Sequence, residues 1–338
     1  MAGPIEHVVV IVKENHTFDN YFGGFPGAAG QAQPPAPDPS PDPRHDHVAW
    51  LARAHGAVHE GYGPKDIPAY WALAQQYALC DNYFTDVASQ SEPNHLFLIA
   101  ANSPVIDNSS RARASYQPLP PYDMPSLPQA LEHAGRQWRN YADAHESYFD
   151  NIAALKGSTS SVPSSHFDAD VARGFLPDVC WLYASGGLSE HPGDRKGDQP
   201  VSAGAQWTMD RVLAVANSAL WPKTAIIITW DDWGGWHDHV VPPEVQNWSG
   251  SGPQGYAGSQ FRYGQRVPCL VVSPWAKAGL INHDMFSHAS VVKFCLRLFG
   301  LPAWNVPALQ PGDRSGDLFS CFDFKAPPRL AVPRSTPA

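Results

Sequence analysis

Two aspartates stand side by side where an apolar run ends. Residues 224–229 read Thr-Ala-Ile-Ile-Ile-Thr, and Trp230, Asp231 and Asp232 follow. Gly234, Gly235, His237, Asp238 and His239 come next. Adjacent carboxylates repel each other, and one tends to take up a proton unless a cation lies between them. Acids so placed point to a divalent cation or to phosphate chemistry. A solvated acidic turn is the plainer alternative, but it has no use for the two tryptophans and two histidines that follow.

Three further clusters repeat the pattern. Glu14 and Asn15 follow the apolar run Val8–Val12. Ser91 precedes Pro93 and the apolar stretch 96–101, which puts it at a helix N-terminus, where free N–H groups and the helix dipole favour an anion. Its competing role is a simple helix cap. His191 lies beyond the run 179–183. One site can serve all four clusters. Glu14, Asn15, Asp231 and Asp232 supply the oxygen ligands that divalent cations take. A cation there lowers the pKa of the Ser91 hydroxyl. His191 and His239 then bind phosphoryl oxygens or protonate the leaving group. Phosphoryl transfer needs little more than this positioning and charge neutralisation. Taken singly, each histidine also has the plainer role of a surface or hydrogen-bonded core group.

The elements that must carry these groups are strands and helices in alternation. Residues 8–12, 179–183, 224–230 and 267–273 read as strands, the most apolar of them buried on both faces, and 138–141 as a further strand. Helices are expected over 17–22, 48–60, 68–79, 91–101, 126–135, 209–218 and 283–298. Polar clusters at strand ends then fall at the carboxyl edge of a sheet, where open α/β folds bind ligands. The fold expected is α/β, a mainly parallel central sheet sandwiched by helices. One domain is expected over 1–338, with loop-rich insertions around 24–66 and 102–175.

Composition narrows the partners. The chain has 338 residues, a formal net charge of −9, and 16% charged residues. That charge argues against nucleic acid, whose non-specific binding rests on phosphate neutralisation, and offers no polybasic attraction to anionic lipid. The five cysteines are widely spaced without a CxxC, so buried free thiols are the default. No stretch approaches the ~18 apolar residues of a membrane span. No signal peptide is visible in the chain as written, so it is expected either to stay in the cytoplasm or to have been exported with its leader removed.

Taken in order, the clusters resemble the bacterial phosphoesterase family, which includes phospholipases C and related acid phosphatases. Residues 14–23, Glu-Asn-His-Thr-Phe-Asp-Asn-Tyr-Phe-Gly, resemble that family's opening motif. Ser91-Glu92-Pro93-Asn94-His95 is similar to its nucleophile motif, and Glu190-His191-Pro192 to its Glu-His-Pro. The segment from Asp231 to Pro243 matches its acidic Gly-Gly motif. Arg266-Val267-Pro268, His288 to Val292 and Gly316-Asp317-Leu318 complete the series. The resemblance implies an alkaline-phosphatase-like three-layer core, a serine nucleophile and a phospho-enzyme intermediate. It implies a metal site of Glu14, Asn15, Ser91, Asp231 and Asp232, with phosphate contacts from His191, His239 and His47. His288 either contacts phosphate or caps its helix. The metal is left open among Ca, Zn, Mg, Mn and Fe. The substrate expected is a small phosphate ester or a phospholipid headgroup, with neither nucleic acid nor an integral membrane segment.

Three residues depart from the family pattern. Asp232 stands where a glutamate is usual, His16 where an arginine is usual, and Glu92 sets an acid beside the nucleophile. The long C-terminal extension of the larger phospholipases C is also missing from the chain, which favours soluble esters or broad specificity. A sulfatase-like enzyme is the rival within the fold, disfavoured by His95 where its motif needs arginine. A non-catalytic phosphate-binding protein is the rival of another class.

Overall fold

The computed structural model describes residues 3–143, 147–185, 187–193 and 200–337. Residues 144–146, part of the loop-rich insertion expected around 102–175, lie outside them. Strand β1 is His7–Lys13, β2 Ala78–Cys80, β3 Trp138–Tyr141, β4 Ser161–Val162, β5 Val179–Tyr183, β6 Thr224–Trp230, β7 Cys269–Val272 and β8 Ile281–Asn282. They form one eight-stranded sheet in the order β8-β2-β7-β6-β1-β5-β3-β4. The β-branched runs of β1 and β6 occupy its centre. Val8 to Ile11 and Ile226 to Ile228 have no exposed surface, and burial of each such side chain favours folding by about 1.5–3 kcal/mol.

Helices α1 (Phe18–Phe22), α2 (Pro68–Gln76), α3 (Ser91–Ala100), α4 (Val201–Ala216) and α5 (His288–Phe299) carry the rest of the framework. α3 packs on α5, and α2 on α4, which gives three layers with the sheet between. β1 runs parallel to both neighbours, with Lys13 opposite Trp230 and Val12 opposite Tyr183. The segments that follow β1, β5 and β6 therefore leave the sheet along one edge.

Several expectations about elements are corrected. The helix expected to reach residue 79 ends at Gln76, and Ala78–Cys80 becomes a strand. β7 lies antiparallel to both β6 and β2, a reversal that an apolar strand does not encode. The helix expected from 209 begins at Val201, the one expected from 283 begins at His288, and residues 48–60 hold two short helical pieces, His47–Leu51 and Arg53–Gly56. The five cysteines are buried and free. Among the described residues, no helix is long and apolar enough to cross a membrane.

Candidate active site

Beyond β1 the chain turns at Asn15, whose φ of +62° lies in the left-handed region. The turn aims its backbone N–H at Asp231 Oδ1, 2.9 Å away. Beyond β6, Gly234 takes φ +59°, and a Cβ there would stand 2.2 Å from the Asn15 carbonyl oxygen. A side chain at Gly234 would thus push apart the two strand ends that carry the acids. The Gly234 N–H donates to Asp232 Oδ1 at 2.7 Å.

Ser91 is the first residue of α3. Asn94 fastens the preceding loop, accepting from the Val87 N–H at 2.8 Å and donating to the Val87 and Gln90 carbonyls at 3.1 and 3.0 Å. The Ser91 hydroxyl thereby comes to rest 3.2 Å from Asp232 Oδ2, to which it donates. Glu92 turns away. Its carboxylate accepts from the backbone N–H of Ser109, from Tyr122 at 2.7 Å and from Asn151 at 2.8 Å. The acid beside the serine is thus engaged in the protein interior rather than aimed at a ligand.

Two groups of side chains flank the Ser91–Asp232 pair. On one side, His95 Nε2 lies 3.3 Å from Asp231 Oδ2 and 3.5 Å from Glu14 Oε1. Burial alone would lower the His95 pKa, but the two carboxylates carry it up to about 9. Burial would likewise raise Asp231, yet His95 and the Asn15 N–H hold its carboxyl well below the usual range. Asp232 goes the other way, raised by burial and by the charge of Asp231. Asn15 Oδ1, Asp231 Oδ2 and both His95 nitrogens are buried without a hydrogen-bond partner among the described residues. Buried polar atoms are normally paired, so unpaired acceptors converging beside two buried aspartates fit a cation.

On the other side stand Asp42, His45 and His191, whose ligand-type atoms all lie within 4.8 Å of one another. His45 Nδ1 donates to the Pro43 carbonyl at 2.7 Å. Its Nε2 accepts from Asn15 Nδ2 at 3.3 Å and lies 4.0 Å from Asp232 Oδ2. His191 Nδ1 donates to the Pro192 carbonyl at 2.7 Å, and among the described residues Nε2 has no hydrogen-bond partner. The loop bearing His191 is pinned by its neighbour. Glu190, at φ +74°, accepts from Tyr70 at 2.5 Å, Tyr21 at 2.8 Å and Trp230 at 3.1 Å, and pairs with buried Lys13 at 3.2 Å. His16, stacked on Tyr21 with ring centroids 4.4 Å apart, lies 2.9 Å from the Glu190 carbonyl.

The structure therefore gathers Glu14, Asn15, Ser91, Asp231, Asp232 and His191, and leaves three expected histidines elsewhere. His47 is fully buried, with Nδ1 2.6 Å from the Ala88 carbonyl and Nε2 2.7 Å from Ser259 Oγ, so no ring nitrogen remains for phosphate. His288 donates from Nε2 to the Asp231 carbonyl at 2.7 Å and accepts at Nδ1 from Tyr83 at 3.1 Å. It fixes the backbone of Asp231 rather than facing a ligand, and the cap of its helix is Ser287. His239 donates from Nδ1 to Asp19 Oδ2 at 2.7 Å, beside Arg266, which bridges Asp19 and Asp238. Among the described contacts it meets neither Ser91 nor its two flanking groups.

Two histidines were missed. His95 follows Ser91 by four residues on one helix, a spacing that puts both on one face. His45 sits two residues before His47. Asp46 caps the helical piece after it, accepting the Ala49 N–H at 3.1 Å, and so carries His47 inward while His45 stays on extended chain facing Asp232.

Comparison with known proteins bears on the family and the fold. The model of the phosphoesterase family matches residues 5–43 and 42–302. Phospholipase C B of Mycobacterium tuberculosis is 28% identical over 97% of this chain and 80% of its own length. The non-hemolytic phospholipase C of Pseudomonas aeruginosa is 28% identical over 96% of this chain, which spans 58% of that protein. The structure of human ectonucleotide pyrophosphatase/phosphodiesterase 5 superposes with a TM-score of 0.53 at 8% identity, covering 94% of this chain and 99% of that one. The shared architecture is the alkaline-phosphatase-like three-layer α/β fold.

Proposed function

The chain belongs to the phosphoesterase family and is a phosphoric ester hydrolase, and from that premise we propose that it acts through a Ser91 nucleophile, with a divalent cation, on phosphodiesters of the phospholipid-headgroup type. The observation that carries the proposal is the Ser91 hydroxyl at a helix N-terminus, 3.2 Å from Asp232, between a buried acidic group and a pair of oriented histidines. The relatives named above are both phospholipases C, which supports the diester over the monoester.

Glu14, Asn15, Ser91, Asp231 and Asp232 would hold the cation. Bound there, it would neutralise the aspartate pair and favour the serine alkoxide. Asp232 holds the Ser91 hydroxyl and accepts its proton. Ser91 Oγ then forms a bond to phosphorus as the ester P–O bond breaks. In the first turn of α3 the Glu92 N–H is taken by Asn108 Oδ1 at 2.7 Å and Pro93 has none, so the Ser91 N–H and the helix dipole are what this end would offer to the charge on the phosphoryl oxygens. His191 in its imidazolium form gives the leaving alcohol a proton from Nε2, while Nδ1 stays fixed on the Pro192 carbonyl. His45 orients the Asn15 amide. Water then attacks phosphorus and delivers its proton to the His191 imidazole, the bond from phosphorus to Ser91 Oγ breaks, Asp232 returns its proton to Ser91, and the phosphate product leaves. His47, His239 and His288 act at a distance, through the positions they fix.

The test pairs p-nitrophenylphosphorylcholine with p-nitrophenyl phosphate, with and without chelator. Chelator-sensitive turnover that favours the diester, lost in Ser91→Ala with folding intact, is the expected result. Retained turnover in Ser91→Ala removes the serine from the reaction. Preference for the monoester moves the protein to the acid phosphatases.

A further inference from the structure

His95 adds to the acidic group a chemistry that oxygen ligands do not have. The residue lies one helical turn beyond Ser91, fully buried. The Tyr148 and Tyr183 rings flank it, with centroids 4.8 and 5.5 Å away. Its Nε2 faces Asp231 Oδ2 at 3.3 Å and Glu14 Oε1 at 3.5 Å. Among the described residues, neither Nε2 nor Asp231 Oδ2 has a hydrogen-bond partner. An imidazole donating to a carboxylate normally closes to ~2.7–2.9 Å. These atoms stand apart by about half an ångström more. Ligands ~2.0–2.2 Å from a tetrahedral ion are separated by ~3.3–3.6 Å, and the observed spacings fall in that interval. His95 Nε2, on one helix, thus stands at ligand spacing rather than hydrogen-bond spacing from carboxylate oxygens on the two turns that follow β1 and β6.

We propose that His95 is a nitrogen ligand of the cation, so that the site selects a borderline transition metal such as zinc over magnesium or calcium. The proposal rests on the cation-assisted reading of the site given above. Magnesium and calcium take oxygen ligands almost exclusively, whereas imidazole suits zinc and its neighbours in the transition series. A site of carboxylates and an amide alone would accept either class, and the imidazole breaks that tie. The rings of Tyr148 and Tyr183 restrict His95 from swinging away, so the ring is already in place, and binding of the cation displaces its proton.

The experiment is calorimetric titration of chelator-stripped protein with Zn²⁺ and, separately, Mg²⁺, on the wild type, His95→Gln and Asp231→Asn. Loss of an outer partner of a metal ligand costs about 10–100-fold in affinity, so loss of a ligand itself should cost at least ~100-fold. Zinc affinity is expected to fall by that factor in His95→Gln, while magnesium affinity changes by less than ~3-fold. Asp231→Asn is expected to weaken both ions. Zinc binding as tight in His95→Gln as in the wild type overturns the nitrogen ligand and leaves the cation site standing. A wild type that prefers magnesium also overturns it. A wild type that binds neither ion overturns the cation reading underneath. Proton NMR of the cobalt(II)-loaded wild type keeps the test independent of whether the variant folds. A hyperfine-shifted, exchangeable imidazole N–H is expected, and its absence from cobalt-loaded protein refutes the ligation.

Discussion

The buried Lys13–Glu190 pair offers a perturbation whose outcome can be worked through. Both side chains have no exposure. Burial pushes the Glu190 carboxyl up and the Lys13 ammonium down, and each charge offsets the shift of the other. The carboxylate also takes hydrogen bonds from Tyr21, Tyr70 and Trp230. In Glu190→Gln the amide nitrogen must face at least one of these donors, and the Lys13 ammonium loses its countercharge. Breaking a buried pair by removing one partner costs ~3–5 kcal/mol. Lys13 keeps the Leu188 carbonyl at 2.5 Å, which points to the lower figure, about 3 kcal/mol. For a chain of this length each kcal/mol moves the midpoint by roughly 2 °C, so the variant should melt about 6 °C below the wild type. Lys13→Met leaves a carboxylate with three donors and should cost less, ~1–3 kcal/mol. The double variant should fall short of the summed losses by at least ~1 kcal/mol. Near-UV circular dichroism on heating reads the stability, and turnover of p-nitrophenylphosphorylcholine reads the loop, since Glu190 holds His191 in place. A Glu190→Gln midpoint within ~2 °C of the wild type, or strict additivity in the double variant, refutes the pair as the anchor of this loop.

Two other perturbations separate positioning inside the site from packing outside it. His45→Gln should lower kcat by ~10–100-fold with little change in melting, whereas His47→Gln should lose ~1–3 kcal/mol of stability with kcat within ~3-fold of the wild type, as read by steady-state kinetics and thermal melts; the opposite assignment would return His47 to the site. At Asp313, burial opposes ionisation, but Arg262 and Lys293 hold its carboxyl below the usual range, with Lys293 Nζ at 2.7 Å. A folded pKa below the unfolded one gives stability that is present above the unfolded value, ~3.9, and is lost as pH falls through the folded value. Asp313→Asn should therefore destabilise by ~1–3 kcal/mol at neutral pH, with the gap to the wild type closing in acid. A gap independent of pH in urea titrations would assign the loss to shape rather than charge.

How much of this was legible in the sequence depended on whether the signal was local. The strands β1, β5 and β6 declare themselves by continuous apolar runs, and the polarity switch at Glu14 and at Asp231 marks where each leaves the sheet. Parallel neighbours then bring those switches together, so the acidic half of the site follows from the sheet alone. The reversed β7 does not declare itself, because a strand buried on both faces reads the same in either direction. The short β2 is hidden for a related reason. Its three residues continue an apolar helical pattern, and only pairing with Cys269–Val271 on one side and Ile281–Asn282 on the other makes them a strand.

The histidines were hard to place for a different physical reason. Their roles depend on ring nitrogens, and which nitrogens stay free is settled by contacts from distant chain segments. His47 and His45 flank a single aspartate, yet the Asp46 cap sends one inward to Ala88 and Ser259 and leaves the other beside Asn15 and Asp232. His239 follows the acidic motif directly, but Asp19 claims its ring, and Asp19 is placed by Arg266 from beyond β6. His95 is the instructive case in reverse. Its distance from Ser91 along one helix was local and readable, and what it faces was not, because Glu14 and Asp231 reach it only after β1 and β6 have paired. A residue's spacing within an element can be read in advance. The chemistry it performs is decided by which buried atoms the completed sheet leaves without a partner.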